Sequence, residues 1–294
     1  MPELLTTEEA ATYLRLSERK LYELVAEGAV PCTKVTGRWL FPRAALDRWV
    51  MAGLIAHKEL AHEAAPPIVG GSHDPLLEWA LRESGCGLAS LPEGSERGLR
   101  RLTRAEVIIA AIHLHTLTDD TQANLAAVRG TAGLHDVVVI AFARREQGIL
   151  VVPDNPLKLS DIASIAGSRA RMAQRPPGAG AQLLLLTLLV RAGVAADDLH
   201  LVKPVCPTGI DIAQAVRSGR ADCGIATRSV ALGAGLDFVP LTWEYFDLVL
   251  RQRDFFLPGP QALFCFLRSP TLRERAKELG GYNIDAIGTV RQLN

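Results

Sequence analysis

The chain has 294 residues, enough for two or three domains, and its 32 basic residues match its 32 acidic residues, so no whole-molecule field attracts nucleic acid. Five cysteines, odd in number and far apart, argue against a disulfide framework and against a cysteine metal site. No apolar run reaches the roughly 18 residues of a membrane span and the N-terminus carries no secretory signal, so we expect a cytoplasmic protein without a membrane partner.

The first fifty residues predict a helix-turn-helix. Thr6, with a glutamate three residues later, has the pattern of a capping box and starts a short helix. Ser17 then caps a second helix over residues 18–27, which Gly28 ends. The following residues, 30–50, predict two short strands and a supporting helix. This order of elements is a helix-turn-helix with a small wing.

The same stretch resembles the excisionase-like, MerR-related winged helix-turn-helix DNA-binding domains. The motifs LTTEEAATYLRLSERKLYELVAEGAVP and GRWLFPRAALDRW carry the resemblance over residues 3–50. It implies that the second helix enters the major groove and that the wing contacts phosphates. The predicted DNA-contacting residues are Ser17, Arg19, Lys20, Tyr22, Lys34, Arg38 and Arg43. A protein-docking module is the alternative, because acids and bases balance in this stretch.

Residues 68–294 alternate between strands and helices with short joints, after a linker that we predict over residues 53–67. This alternation predicts a parallel sheet with helices on both faces. Such sheets bind ligands beyond the carboxyl ends of their strands, where Ser72, His73 and the turn that starts at His113 would lie. We therefore predict a winged helix-turn-helix domain over residues 1–52 and a ligand-sensing domain over residues 68–294.

Residues 136–155 form the longest β-rich passage, which we predict carries the chain from one lobe into a second lobe. The chain returns through FVPLTWEYFDLVLR. We expect lobe I to contain about residues 68–145 and 230–294, and lobe II about residues 146–229. Two α/β lobes joined by crossing strands form a clamshell, and a clamshell closes on a small molecule.

The stretch QRPPGAGAQLLLLTLLVRAG, residues 174–193, predicts a buried helix that a Gly-x-Gly turn opens. The first amides of such a helix have no intrahelical acceptor and carry the positive end of the macrodipole. The turn can therefore hold a small anion without a lysine. An ordinary turn with two glycines is the alternative.

Five motifs occur in the order seen in type 2 periplasmic-binding-protein-like domains of the molybdate and tungstate kind: RREQGILVVPDNP, QRPPGAGAQ, PTGIDIAQAVRSGRADCGIA, VPLTWEYFDLVL and GGYNIDAIGTV. The resemblance covers residues 68–294 and implies an α/β protein in which a two-lobed clamshell follows the small winged helix-turn-helix. The ligand-binding residues predicted from it are Ser72, His73, His113, Arg175, Gly178, Ala179, Gly180, Ala181, Thr208, Gly209 and Tyr245.

The ligand turn departs from the family pattern, in which we expect Asn-Arg-Gln-Pro-Gly-Ser-Gly-Thr-Arg. Here Ala179 and Ala181 replace the two hydroxyl residues, and Gly209 follows Thr208 where a histidine is expected. Asp211 would repel a dianion if it pointed into the cleft. Fewer donors suit a monoanion, a carboxylate or another small ligand at least as well as molybdate or tungstate. A clamshell that has lost its ligand and serves as a dimer scaffold is a third possibility.

His113 and His115 form the pattern that most invites an enzymatic interpretation, because an HxH on a strand places both rings on one face, as some metal sites require. The sequence contains no nucleophile elbow, P-loop or Rossmann fingerprint. We predict no catalytic residues, no metal and no cofactor.

The predicted function is a ligand-responsive transcriptional regulator. Its predicted partners are DNA, a small-molecule or oxyanion effector, and a second copy of the chain in a homodimer. Two alternatives remain open: a solute-binding protein whose N-terminal module docks a protein partner, and a regulator whose clamshell is degenerate and ligand-free.

Overall fold

The computed structural model describes residues 4–35, 37–52, 65–116 and 121–293. The chain divides into two compact units, Met1–His62 and Glu63–Asn294. Most of the predicted linker lies outside the described residues, as does Thr36 in the predicted wing turn. Within the described ranges, no helix has both the length and the apolarity that crossing a membrane requires.

The first unit is a helix-turn-helix with a three-stranded antiparallel sheet, in the strand order β1-β3-β2. Its elements are β1 (Leu4–Leu5), α1 (Thr7–Leu14), α2 (Glu18–Ala26), β2 (Thr33–Val35), β3 (Arg38–Pro42) and α3 (Arg43–Ala52). The predicted capping box at Thr6 and the predicted N-cap at Ser17 are both present. Leu21, Phe41 and Leu46 are fully buried and join α2, β3 and α3 in one small core.

The second unit contains one curved sheet with helices on both faces. Before the first crossing strand the chain forms β4 (Ile68–Gly71), α4 (Pro75–Glu83), β5 (Ala89–Pro92), α5 (Ser95–Thr103), β6 (Ile109–Ile112) and α6 (Ala123–Gly130). The crossing strands are β7 (Val137–Val151) and β11 (Asp237–Arg251). Between them lie α7 (Ile162–Ser168), β8 (Arg171–Ala173), α8 (Gly180–Ala192), β9 (His200–Leu201), α9 (Gly209–Arg217), β10 (Cys223–Thr227) and α10 (Arg228–Gly233). The chain ends with α11 (Gln252–Phe255), α12 (Pro258–Leu267), α13 (Pro270–Leu279), β12 (Tyr282–Asn283) and β13 (Val290–Leu293).

The sheet has the order β5-β4-β6-β11-β7-β10-β8-β9, and β12 and β13 also pair with β7. The pairs of β4 with β5 and β6, and of β8 with β9 and β10, are parallel, whereas β7 and β11 run antiparallel to each other. The first half of β7 pairs with the second half of β11 beside β6, and the second half of β7 pairs with β10. The two strands therefore belong to both lobes and join them at their midpoints.

Lobe II extends further along the chain than the predicted limit at residue 229. Val230, Ala231 and Leu236 pack with Ile212 and Val216 in the core of lobe II. The reason is that α10 follows β10 without a loop and folds back on α9 before the chain reaches β11.

Candidate ligand cleft and DNA-binding surface

A cavity of about 30 Å³ lies between the two lobes, at the middle of the crossing strands. This volume has room for about two water molecules, so in this closed arrangement the cleft suits a ligand of few non-hydrogen atoms. Six of the residues predicted to bind ligand line it, namely Ser72, His73, His113, Arg175, Ala181 and Gly209. Ser72, His73 and His113 follow strands of lobe I. In lobe II, Arg175 follows β8, whereas Ala181 and Gly209 lie in the first turns of α8 and α9.

Four more predicted residues, Gly178, Ala179, Gly180 and Thr208, lie beside the cavity. Gly178 O accepts a hydrogen bond from Glu96 N at the start of α5 (3.5 Å), next to Ala179. Gly180 is in tight contact with His113, since a Cβ at this position would lie 2.3 Å from the carbonyl oxygen of His113. Thr208 caps α9, whose first residue lines the cavity.

Tyr245 does not reach the cavity, contrary to the prediction. Residues directly opposite each other on paired strands share a face, and successive residues alternate. Tyr245 pairs with Arg144, and its ring lies 5.3 Å from that guanidinium and 4.2 Å from that of Arg291. The neighbouring pair, Glu244 and Arg145, has the opposite orientation, so the position one residue earlier is the one that belongs to the cleft.

The lobe I side of the cleft contains a buried network of charged and polar side chains: Asp74, His113, His115, Arg145 and Glu244. Arg145 Nη1 donates to Asp74 Oδ2 (2.9 Å), and Arg145 Nε donates to Glu244 Oε1 (2.9 Å). The other carboxylate oxygen of Glu244 lies 2.8 Å from His113 Nδ1 and 2.9 Å from His115 Nε2. All five residues are at least nine-tenths buried, so the network forms a rigid floor whose charged groups are hydrogen-bonded to one another.

The charges of this network follow from its burial. Burial lowers the pKa of His113 to about 4, although the adjacent carboxylate opposes this effect. Burial also opposes ionisation of Glu244, but His113 and Arg145 together hold the pKa of Glu244 well below its ordinary value. At neutral pH the carboxylate is therefore ionised and the His113 imidazole is neutral.

The lobe II side carries a positive group, Arg175, that is in no ion pair with the described residues. Arg175 forms no ion pair and no hydrogen bond within the described part of the chain, and its Nε is buried. Burial lowers the pKa of Arg175 to about 10, and the charge of Asp211 opposes the shift, so the guanidinium stays charged at neutral pH. Asp211 itself turns back on its own helix, where its carboxylate accepts from the amide (2.8 Å) and hydroxyl (2.7 Å) of Thr208.

Three helices begin at the cavity. The first residues of α4 and α9, Pro75 and Gly209, line it, as does Ala181, the second residue of α8. The amides of the first helical turn have no intrahelical acceptors and carry positive partial charge. Together with Arg175 they favour a negatively charged group in the cavity.

Sequence reasoning missed three residues that form the floor of the cleft: Arg145, Gln147 and Glu244. Gln147 Nε2 donates to Glu244 Oε1 (3.0 Å), while Gln147 Oε1 is buried and has no hydrogen-bond donor among the described residues. The sequence contains a usable signal, because RREQG places Arg145 and Gln147 two residues apart inside an otherwise apolar strand. Alternation would have placed Arg145 and Gln147 on one face.

The predicted DNA-contacting residues lie on the first unit, mostly exposed. Of the four on or next to α2, Ser17 uses its hydroxyl to accept from Lys20 N (3.3 Å), and Tyr22 is exposed. Arg19 Nε and Lys20 Nζ lie 3.5 and 3.1 Å from the Glu23 carboxylate. Such exposed ion pairs contribute little and can exchange for phosphate contacts.

The three predicted contacts outside α2 differ in exposure. Lys34 and Arg38 are exposed on β2 and β3, and the Lys34 ammonium lies 5.2 Å from the ring of Trp39. Arg43 is half-buried, with its guanidinium 5.0 Å from the ring of Tyr13. The Arg43 side chain therefore also packs the start of α3 against α1.

The fold and the cleft define a two-lobed solute-binding domain that shares its chain with a helix-turn-helix domain. Residues 78–268 match the family described as the PBP superfamily domain, and residues 4–53 match the helix-turn-helix domain. The chain therefore belongs to the PBP superfamily. The combination fits a ligand-responsive regulator.

Comparison with individual proteins agrees with this assignment. The uncharacterized protein YvgK of Bacillus subtilis is 24% identical over 301 residues, which cover 97% of this chain and 96% of that protein. A putative phosphate ABC transporter substrate-binding protein from Clostridium perfringens, solved with bound phosphate, has a TM-score of 0.53 at 12% identity and covers 72% of this chain and 96% of its own. A Corynebacterium glutamicum OxyR mutant has a TM-score of 0.50 at 12% identity, covering 93% and 90%. These structural similarities establish the fold.

Proposed function

We propose that this protein is a DNA-binding transcriptional regulator whose clamshell responds to a small anion, either an oxyanion or a small carboxylate. The observation that carries the proposal is the unpaired, part-buried guanidinium of Arg175 at a cavity where three helices begin. Burying an unpaired charge is costly, and the cost is recovered when a ligand of opposite charge binds. The similar Clostridium perfringens protein was solved with bound phosphate, which supports an anion as a ligand of this fold.

The polar groups around the cavity also favour an anion that carries a hydroxyl. Gln147 Oε1 is a buried acceptor without a donor, and the hydroxyls of Ser72 and Thr227 are already engaged with Ser95 and Ser229. A ligand hydroxyl could satisfy Gln147, which a fully deprotonated tetrahedral dianion cannot do. Hydrogen phosphate and small hydroxycarboxylates carry both the negative charge that Arg175 favours and the hydroxyl that Gln147 lacks.

The proposed mechanism is a population shift between open and closed lobes. A ligand that touches both Arg175 on lobe II and the network on lobe I binds the closed form more tightly than the open form. An affinity difference of about a hundredfold corresponds to about 2.7 kcal/mol, which would shift the closed form from about one tenth to about nine tenths of the population and could reorient paired DNA-binding domains. We propose a homodimer as the DNA-bound form, because helix-turn-helix domains commonly pair across two half-sites.

A thermal-shift screen of the full chain tests the ligand class. The panel contains molybdate, tungstate, sulfate, phosphate and matched acids such as propionate and lactate, which differ by one hydroxyl. At a hundred times its dissociation constant, a ligand stabilises the protein by about 2.7 kcal/mol. We expect responses from anions, with lactate above propionate. If no anion changes the melting temperature, the anion proposal is wrong.

A selection of random duplex DNA followed by gel shift tests the regulatory half of the proposal. The double variant Arg19→Ala with Arg38→Ala should lose binding, because both side chains are exposed on the proposed DNA-facing surface. Arg217→Ala, exposed at the end of α9, is the matched control and should bind as the wild type does. Retained binding by the double variant would contradict this surface. Absence of any selected DNA would favour a solute-binding protein whose first unit docks another protein.

We also propose that the role of the cleft is binding rather than catalysis. The carboxylate of Glu244 is engaged by His113, His115, Arg145 and Gln147. Ser72 hydrogen bonds Ser95 instead of a histidine that could activate it.

A further inference from the structure

Three side chains on the lobe I side of the cleft bring potential metal-ligand atoms together: His113, His115 and Glu244. The two histidines follow β6, and Glu244 lies on the neighbouring strand β11. His113 Nδ1, His115 Nε2 and a carboxylate oxygen of Glu244 all lie within 4.8 Å of one another. The three residues are each more than nine-tenths buried. The proposed function does not use these three atoms as metal ligands.

The donor set is one that first-row transition metals prefer. Two imidazoles with one carboxylate occur in zinc sites that keep a fourth position open and in iron sites with open positions. Tetrahedral ligands about 2.0–2.1 Å from zinc are about 3.3 Å apart. The two imidazole nitrogens lie 2.8 and 2.9 Å from the carboxylate oxygen, and all three atoms lie within 4.8 Å of one another, so side-chain rotations that bring the three separations to about 3.3 Å would admit the ion.

The backbone of this site is held without a metal. Ser95 Oγ accepts from His113 N (3.0 Å) and donates to His113 O (2.8 Å). Asn124 accepts from Leu114 N (2.8 Å) and donates to Tyr245 O (3.0 Å), so one side chain ties the histidine turn to the strand of Glu244. Preorganisation of this kind is what a metal site needs from its surroundings.

Charge gives an independent reason for a cation. The buried network has one guanidinium, Arg145, against two carboxylates, Asp74 and Glu244. Arg145 bonds both, which leaves one negative charge in excess. A divalent ion beside Glu244 would reverse the sign of this excess. The same reversal would favour an anion in the adjoining cavity, which His113 lines.

We propose that His113, His115 and Glu244 bind one divalent first-row transition-metal ion at the floor of the cleft, as a ligand distinct from the anion. His113 Nδ1, His115 Nε2 and Glu244 Oε2 supply three donors. The remaining coordination position is open to water or to an anionic ligand.

Metal binding by the untagged, EDTA-treated full chain tests this proposal without any variant. Equilibrium dialysis against micromolar Zn²⁺ should give about one bound ion per chain. Co²⁺ should give the visible absorption bands of a four- or five-coordinate ion. X-ray absorption of the zinc-loaded protein should show two imidazoles and oxygen at about 2.0–2.1 Å. No bound zinc, or a sulfur shell at about 2.3 Å from cysteine, would overturn the proposal.

Variants then locate the site. His113→Gln and His115→Gln should each weaken zinc binding by about a hundredfold or more, with cooperative thermal unfolding retained as the check on folding. His200→Gln is the matched control, because His200 is exposed on β9, and it should bind zinc as the wild type does. If the folded double variant of His113 and His115 keeps wild-type affinity, the site is elsewhere and the proposal is wrong. If the variants do not fold, the imidazole count from X-ray absorption decides.

Discussion

The two sides of the cleft each present an arginine, and the surroundings of the two arginines are opposite. Arg145, on the lobe I side, is fully buried and donates to Asp74 and Glu244. Arg175, on the lobe II side, is part-buried and has no ion pair within the described residues. The first arginine is part of the architecture, since its charge is neutralised by the protein. The second has no carboxylate within ion-pair distance among the described residues, which is why we propose an anionic ligand for it.

This difference indicates which residues should be tested for their effect on stability and which for their effect on ligand binding. A buried guanidinium with its carboxylates in place is costly to remove, because the carboxylates remain buried without a countercharge. An unpaired guanidinium at a cavity contributes nothing comparable to folding. Its removal should change ligand affinity instead. Replacing arginine by methionine should therefore lower stability on the lobe I side and ligand affinity on the lobe II side.

The largest effect is expected from Arg145→Met, which leaves two buried carboxylates unpaired. The free energy of unfolding of the second unit should fall by about 3–5 kcal/mol, measured by urea denaturation of the full chain. Arg144→Met is the matched control, because the neighbouring Arg144 is exposed on the other face of the strand. The control substitution should lower the free energy of unfolding by less than about 1 kcal/mol. Equal stability of Arg145→Met and wild type would show that the network does not hold the lobe together.

Arg175→Met should weaken anion binding without lowering the stability of the protein. Affinity for the anion found in the screen should fall by about 1.5–3 kcal/mol, roughly tenfold to more than a hundredfold, because a charged donor is lost. The ligand-free protein should be as stable as the wild type or slightly more stable, since an unpaired buried charge is removed. Isothermal titration and urea denaturation give the two quantities. Arg217→Met, exposed on the same lobe, is the control. Wild-type anion affinity in Arg175→Met would remove the main support for the proposed ligand class.

Gly180→Ala tests the contact between the two sides. A Cβ here would lie 2.3 Å from His113 O and 2.4 Å from His113 Nδ1, so the lobes must move apart. We expect a cost of about 1–3 kcal/mol in closure, seen as weaker anion binding in titration. Gly167→Ala, in α7 of lobe II with no atom within 4 Å of the added Cβ, should leave binding unchanged. Equal affinities for the two variants would mean that closure at this point is not coupled to binding.

The smallest expected effect comes from Thr208→Ala, which removes the N-cap of α9 at the cavity. Its hydroxyl accepts from Asp211 N (3.3 Å) and donates to the Asp211 carboxylate (2.7 Å). Loss of such a cap costs about 1 kcal/mol of stability. Thr208→Ser keeps the hydroxyl and should be close to wild type by thermal unfolding. A larger loss in Thr208→Ser than in Thr208→Ala would contradict the capping role.

Short-range sequence signals predicted the parts of the cleft that depend on neighbouring residues. Ser72 follows β4 and His113 follows β6, so their places at strand ends could be inferred from the strands alone. Ala181 and Gly209 lie in the first turns of α8 and α9, and their places follow from glycine turns and a threonine cap. Each of these signals spans only a few residues.

The floor of the cleft could not be predicted in this way. Glu244 meets Arg145 across 99 residues of sequence and His115 across 129, and such pairings depend on how two long strands align. The wrong prediction of Tyr245 has the same cause. A shift of one residue along a strand reverses the face on which a side chain lies, and residue spacing does not fix the register of β11 against β7.

The sequence by itself determined the helix-turn-helix, the order of strands and helices in the two lobes, and the helix starts at the cleft, because caps, glycine turns and apolar periodicity act between residues close in the chain. Only the tertiary structure decided which arginine is neutralised, which carboxylate faces the histidines and which arginine is without an ion pair among the described residues. These choices depend on the antiparallel register of β7 and β11 and on burial. The register and the burial arise when segments about a hundred residues apart pack together. As a result, two arginines with identical side chains, Arg145 and Arg175, have different electrostatic surroundings.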